Sequence, residues 1–213
     1  MRSTLALVTP PASEPVSLPD ARAWCRLDDD PTTNLTLAQL IAAARSAAEE
    51  YLRRSLVTQT WKLTLDASYS RGYDLPEGVY DLPVTALYGS LPNTIDLPRG
   101  PVSAITSVTT YDLANASSVY DPSNYRVDAS GARLILNSGA VWPGSLRPQG
   151  GTEIVYVAGY GTASQVPQPI KTGILIHVAS LYEQRGNCED AMDLPPGSKQ
   201  LYTPYRIMGD RRG

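Results

Sequence analysis

The residues most suggestive of chemistry lie in the stretch IVYVAGYGTASQVPQPIK, residues 154–171, where an apolar run ends in a glycine pair and a helix-like segment follows. A dinucleotide-binding turn needs Gly-x-Gly-x-x-Gly with the helix opening inside the motif, so that phosphate sits on the free N–H groups of the first helical turn. Here Ser164 stands where the third glycine belongs, no Walker lysine follows, and the helix opens only around Pro167 and Pro169. The stretch therefore reads as a strand-to-helix turn in which Gly159 and Gly161 supply positive φ. His177, the single histidine, lies within Ile-Leu-Ile-His-Val-Ala. With no G-x-S-x-G elbow in the chain, it reads as a hydrogen-bonded core residue, not as the base of a Ser/His/Asp triad. The acidic runs Asp28-Asp29-Asp30 and Glu189-Asp190 lack the alternating ligand spacing of a calcium loop and read as solvated linkers. Cys25 and Cys188 have no metal-binding or redox spacing and read as buried free thiols. No catalytic, cofactor-binding or metal-ligating residue is assigned, and no enzyme is expected.

The C-terminus is the more informative region. Lys199, Arg206, Arg211 and Arg212 face a lone Asp210, in a chain of net charge −3 overall, and Tyr202, Tyr205, Ile207 and Met208 interleave apolar bulk. Two readings stand: a free tail, or a segment that orders on a partner, for which aromatic, Met and Arg side chains are the usual anchors.

The elements that must position these residues follow from composition and period. A chain of 213 residues with 42% hydrophobic content can bury a core. Its charge gives no global attraction to nucleic acid or anionic lipid, and its apolar runs fall short of a membrane span. The start, MRSTLALVTPPASEP, carries too short an apolar patch for a secretory signal, so residence in a cytosol is expected. Ser17-Leu18-Pro19-Asp20 has the form of a capping box and opens a short helix ending near Leu27, with Ala21, Trp24, Cys25 and Leu27 at roughly helical spacing. Leu37, Leu40, Ile41, Ala44, Ala48, Tyr51 and Leu52 then trace one buried helix face, with Arg45, Glu49 and Arg53, and Glu50 and Arg54, on a solvated face.

From Thr58 the period changes to two: Trp61, Leu63 and Leu65 alternate with polar residues, residues 105–111 are β-branched, and residues 125–127 and 134–136 flank a hairpin-type turn. Prolines 76, 83, 92, 98 and 101 make residues 69–101 loop or edge. Residues 154–158 are apolar throughout, as in an interior strand. Helix returns with Ile170, Ile174, Val178 and Leu181 on one face, and a last short helix spans residues 198–202. The expected fold is α+β: a small bundle of about four helices with a large antiparallel β insertion between the second and third. Its divisions are residues 1–57, the N-terminal half of the helical core; 58–164, the β-rich lobe; and 165–213, the C-terminal half with a docking tail.

Taken in order, these segments resemble a known family. SLPDARAWCRLDDD with LAQLIAAARSAAEEYLRRSL resembles the opening of the head-tail connector (adaptor) proteins of tailed bacteriophages and gene transfer agents, with Cys25 in the usual leucine place of Cys25-Arg26-Leu27-Asp28. The likeness continues through LPRGPVSAITSVTTYD, YRVDASGARLIL, GTEIVYVAGYG, VPQPIKTGILIHVASLYEQRG and LPPGSKQLYTPYRIM, nearly the whole chain.

The resemblance implies a structural virion protein of the neck, present in the host cytoplasm during assembly. It implies a homo-oligomeric ring, usually of twelve copies, between the portal protein and the stopper or tail-completion protein, whose lumen passes DNA without specific binding. It also implies that the C-terminal segment reaches the portal, a role that falls on Tyr202, Tyr205, Arg206, Ile207 and Met208. No cofactor and no membrane enter this reading. The alternative is a tail-associated module that binds carbohydrate or a host surface through Tyr69, Tyr73, Tyr80 and Tyr88 of the β region; a hydrolase using His177 comes third.

Overall fold

Capping chemistry decides where the helices begin. Helix α1 (Leu18–Cys25) starts at Ser17, whose Oγ accepts from the Asp20 N–H at 3.2 Å and donates to the Asp20 carboxylate at 2.6 Å. Helix α2 (Pro31–Leu52) starts at Asp30, whose carboxylate accepts from the Thr33 N–H at 2.8 Å. The acidic stretch before α2 is thus partly a cap, and Asp29 pairs with Arg22. The computed structural model describes residues 2–67, 91–129, 131–184 and 194–207.

The chain divides into two compact units, Pro11–Thr58 with Gly159–Gly213, and Met1–Pro10 with Gln59–Ala158. In the first, α1 and α2 pack with α3 (Gln168–Glu183) and α4 (Pro196–Tyr202) around Leu37, Ile41, Ala44, Ala48, Leu52, Ile170, Ile174 and Val178. The stripe along α2 is the one the periodicity predicts, because each turn must cover apolar area worth about 25 cal/mol per Å². Two readings on these helices need correction. Trp24 is exposed although it shares the α1 stripe. Cys25, expected buried, is only half-covered at the last position of α1. Burial and then the nearby Glu183 carboxylate push its thiol pKa up. Cys188 lies outside the described residues.

A further correction concerns Glu49, assigned to the solvated face. It is buried, its Oε1 accepts from the Leu56 N–H at 2.9 Å, and its Oε2 accepts from Arg45 Nη1 at 2.9 Å. Arg53 closes α2 in the left-handed region, at φ 55°, so the chain folds back and brings an otherwise unpaired amide onto the carboxylate.

The second unit is built from two antiparallel sheets. One has the order β1 (Ser3–Thr9), β2 (Gln59–Leu65), β8 (Thr152–Ala158), β4 (Val102–Tyr111), β5 (Ser117–Val119). The other has the order β3 (Thr94–Asp96), β7 (Arg133–Leu136), β6 (Tyr125–Asp128). Both contribute inward residues to one core that includes Leu63, Leu65, Val108, Leu134, Ile154 and Tyr156. Strand β8 is central, as its apolar run suggests, yet within residues 154–158 Ile154, Tyr156 and Ala158 are buried while Val155 and Val157 are half-covered. Strand β3 is an edge, consistent with the prolines around it; residues 68–90 lie outside the described set, and with them Tyr69, Tyr73, Tyr80 and Tyr88.

The fold is α+β, with four α-helices and antiparallel sheets among the described residues. The first ten residues depart from the expected division. Instead of joining the helices, residues 3–9 form β1, paired antiparallel to β2 in the register Ser3↔Leu65 to Leu7↔Trp61. In this register the backbone groups of Thr4 and Ala6 find their partners on β2.

Candidate functional site

The C-terminal residues singled out by composition are fastened to the helical unit one by one. Tyr202 ends α4 with its side chain wholly buried against Gly173 of α3, and the Ser198 hydroxyl donates to the Gly173 carbonyl at 2.8 Å. The Tyr202 ring is 6.1 Å from that of Tyr51, and its hydroxyl has no partner among the described residues. Burial pushes this phenol well above the ordinary tyrosine pKa, so it stays neutral.

Beyond it the chain lies along the end of α2. The Arg54 Nε donates to the Tyr205 carbonyl at 2.5 Å, the Arg206 guanidinium sits 4.8 Å over the Tyr51 ring, and the Ile207 N–H donates to the Leu52 carbonyl at 3.0 Å. That last bond satisfies a carbonyl that the helix end would otherwise leave open. Tyr205 and Ile207 are half-buried and Arg206 is exposed.

The five residues assigned to docking therefore separate. Tyr202 is a core anchor and offers no surface, because its ring is the residue that closes α4 onto α3. Tyr205, Arg206 and Ile207 remain accessible on a platform made by Tyr51, Leu52 and Arg54. Met208 lies outside the described residues, with Asp210, Arg211 and Arg212. Sequence reading missed the platform because the spacing of Arg54 from Glu50 disguised it as one more helix-surface pair.

The glycine turn is engaged internally. Gly159 has φ +127° and Gly161 φ +115°. A Cβ on Gly159 would meet the Val57 carbonyl oxygen at 2.5 Å. The donors a phosphate would need are taken: the Tyr160 N–H bonds the Leu56 carbonyl at 3.0 Å, the Thr162 N–H bonds Gln165 Oε1 at 2.8 Å, and the Gln165 N–H bonds the Thr162 carbonyl at 3.0 Å. Such a turn leaves no cradle for an anion.

His177 is buried on α3, its Nδ1 has no partner among the described residues, and burial lowers its pKa, so it is neutral. The expected hydrogen bond is absent at that nitrogen. Ser164 pairs through its hydroxyl with Thr162 Oγ1 at 2.8 Å. On the α1–α3 side of the helical unit, a groove of 470 Å³ is lined by Val16, Asp20, Trp24, Gln168, Lys171 and Leu175. Its wall carries one carboxylate, one ammonium and an aromatic ring.

No family model matches the chain, and no curated protein matches it. Solved structures do. A chain in the neck of an empty gene transfer agent particle, computed with C6 symmetry, matches with a TM-score of 0.74 at 22% identity, over 99% of this chain and 98% of that one. A chain of the virion of the native gene transfer agent particle matches with a TM-score of 0.72 at 23% identity, over 98% of each. A chain in the native neck computed with C12 symmetry matches with a TM-score of 0.68 at 24% identity, over 99% and 98%. The chain has the fold of these neck and virion components from end to end, both units included.

Proposed function

We propose that this chain is a structural, non-enzymatic head-tail connector (adaptor) in the neck of a tailed particle. Copies assemble as a homo-oligomeric ring, of twelve by this reading, between the portal protein and the stopper or tail. The ring leaves a central channel for DNA. The chain reaches this place from the host cytoplasm during assembly.

The observation that carries the reading is the end-to-end match, 99% of this chain against 98% of a neck chain, across two units that share no local motif. Fold alone does not fix function, and the order of sequence segments supports the same role independently. Charge agrees: a net −3 gives few counterion-releasing phosphate contacts, so DNA slides without being gripped. The surface offered to the portal is Tyr205, Arg206 and Ile207, anchored by the buried Tyr202, and Met208 keeps its place in this reading on sequence alone. Many identical weak segments on one symmetric partner bind strongly together through effective concentration.

The test is to purify the full chain, image it by negative stain, and add it to DNA-filled heads that lack it. Rings with an open centre that join the heads are expected. A protein that stays monomeric and does not join heads would overturn the reading.

A further inference from the structure

The five-stranded sheet ends on both sides in open edges. Strand β1 has one neighbour, β2, and β5 has one neighbour, β4, among the described residues. Bond direction follows from the pairing. The Asp66 N–H donates to the Arg2 carbonyl at 3.1 Å, so in the same register Thr4 and Ala6 face β2, while the N–H and C=O groups of Ser3, Leu5 and Leu7 point outward. On the other side the Tyr120 N–H bonds Val108 at 2.8 Å and Asp112 bonds the Ala116 carbonyl at 3.1 Å, so Ser117 and Val119 point outward.

Strand β1 has a bulge between Leu7 and Thr9 and β5 is only three residues long, but neither edge is guarded by charge or proline. Between Arg2 and Pro10, and between Asp112 and Asp121, there is no charged residue and no proline. Leu7 and Val8 are 46% and 53% exposed, and Val119 is 70% exposed. An uncharged edge with exposed apolar side chains is a template for another strand.

Resting on the ring reading above, we infer that neighbouring copies join edge to edge, β1 of one copy pairing with β5 of the next. Each copy then supplies one edge of each kind, the head-to-tail arrangement that closes into a ring. Closure leaves no free edge, whereas a foreign strand on β1 would leave β5 open, and a twofold β1–β1 pair would stop at a dimer. Four antiparallel steps separate β1 from β5, so the two strands run the same way. Rotation about an axis along the strands keeps that sense, and the junction is a parallel pairing.

The test uses the full chain as ring and as dissociated monomer. Hydrogen exchange of peptides covering residues 2–9 and 114–121 is expected to slow on the order of tenfold or more in the ring. Leu7→Pro removes an outward donor without touching the β2 ladder, and Leu7→Lys places a charge on the edge; both are expected to lower the ring fraction in native mass spectra on the order of tenfold with the monomer's unfolding midpoint kept. Rings that form equally well in both variants, with unchanged exchange, overturn the edge pairing and leave the ring reading intact. Protection of the outward amides of Ser3, Leu5 and Leu7 already in the monomer, or assembly that stops at a dimer, also overturns it. A wild-type chain that forms no ring, alone or on heads, overturns both.

Discussion

The ring of Tyr202 rests on the α-carbon of Gly173. A Cβ at that position would lie 2.9 Å from the ring's Cζ and 3.1 Å from its Cδ1, with Cε1 nearer still. Helices α3 and α4 approach this closely because residue 173 has no side chain, and the approach buries a whole tyrosine.

Gly173→Ala is therefore expected to destabilise the protein. Alanine gains about 0.8–1 kcal/mol of helix propensity, but a buried ring cannot step aside, and overpacking costs about 1–3 kcal/mol. A net loss of up to about 2 kcal/mol is expected in urea unfolding. Tyr202→Phe makes the opposite prediction. It removes a buried hydroxyl without a described partner and should be neutral or stabilising by up to about 1 kcal/mol.

Glu49→Ala should cost more than any exposed substitution on α2. It takes from Arg45, whose side chain is only 16% exposed, one of two carboxylate partners, Glu14 staying at 2.8 Å, and it leaves the Leu56 N–H without its acceptor. A buried donor left without its acceptor costs about 1–3 kcal/mol. Glu49→Gln, which keeps an acceptor for Leu56, is expected to lose less. Denaturant midpoints of the two variants check the order.

His177 gives the stability a pH dependence with a definite sign. Its folded pKa lies below the ordinary 6.5, because burial disfavours the imidazolium. The contribution is complete above 6.5 and is lost as pH falls from there to the folded value, since the unfolded chain binds the proton first. His177→Gln should flatten the stability profile between pH 7 and 5 (ordinary histidine range). An unchanged slope would show that other groups carry it. The same variant should leave head joining intact, as expected of a residue without a catalytic role.

Truncations should separate anchor from docking surface. The ring of Tyr202, the Arg206 guanidinium over Tyr51 and the Ile207–Leu52 bond already fasten the segment, so deleting residues 208–213 is expected to change the unfolding free energy by no more than about 0.5 kcal/mol. Head joining is expected to weaken. Deleting from Tyr202 removes a core residue and should unfold the helical unit. If the shorter deletion joins heads as well as wild type does, the portal contact lies elsewhere on the helical unit.

The sequence by itself determined the elements whose signal is local. The α2 and α3 stripes, the Ser17 cap and the Asp128 turn between β6 and β7 each depend on residues within a few positions of one another, and there periodicity and capping chemistry act alone. The resemblance across ordered segments also pointed to the neck-particle fold before any coordinate did. Tertiary structure alone decided β1, because an edge strand leaves half its side chains in water, shows little alternation, and finds its partner β2 more than 50 residues later. It alone turned Glu49 inward, since the Leu56 amide reaches it only after the chain reverses at Arg53. It also split the C-terminal residues into a buried Tyr202 and an accessible Arg206. Composition sees the same aromatic and basic types in both places; which one is buried depends on the glycine waiting on another helix.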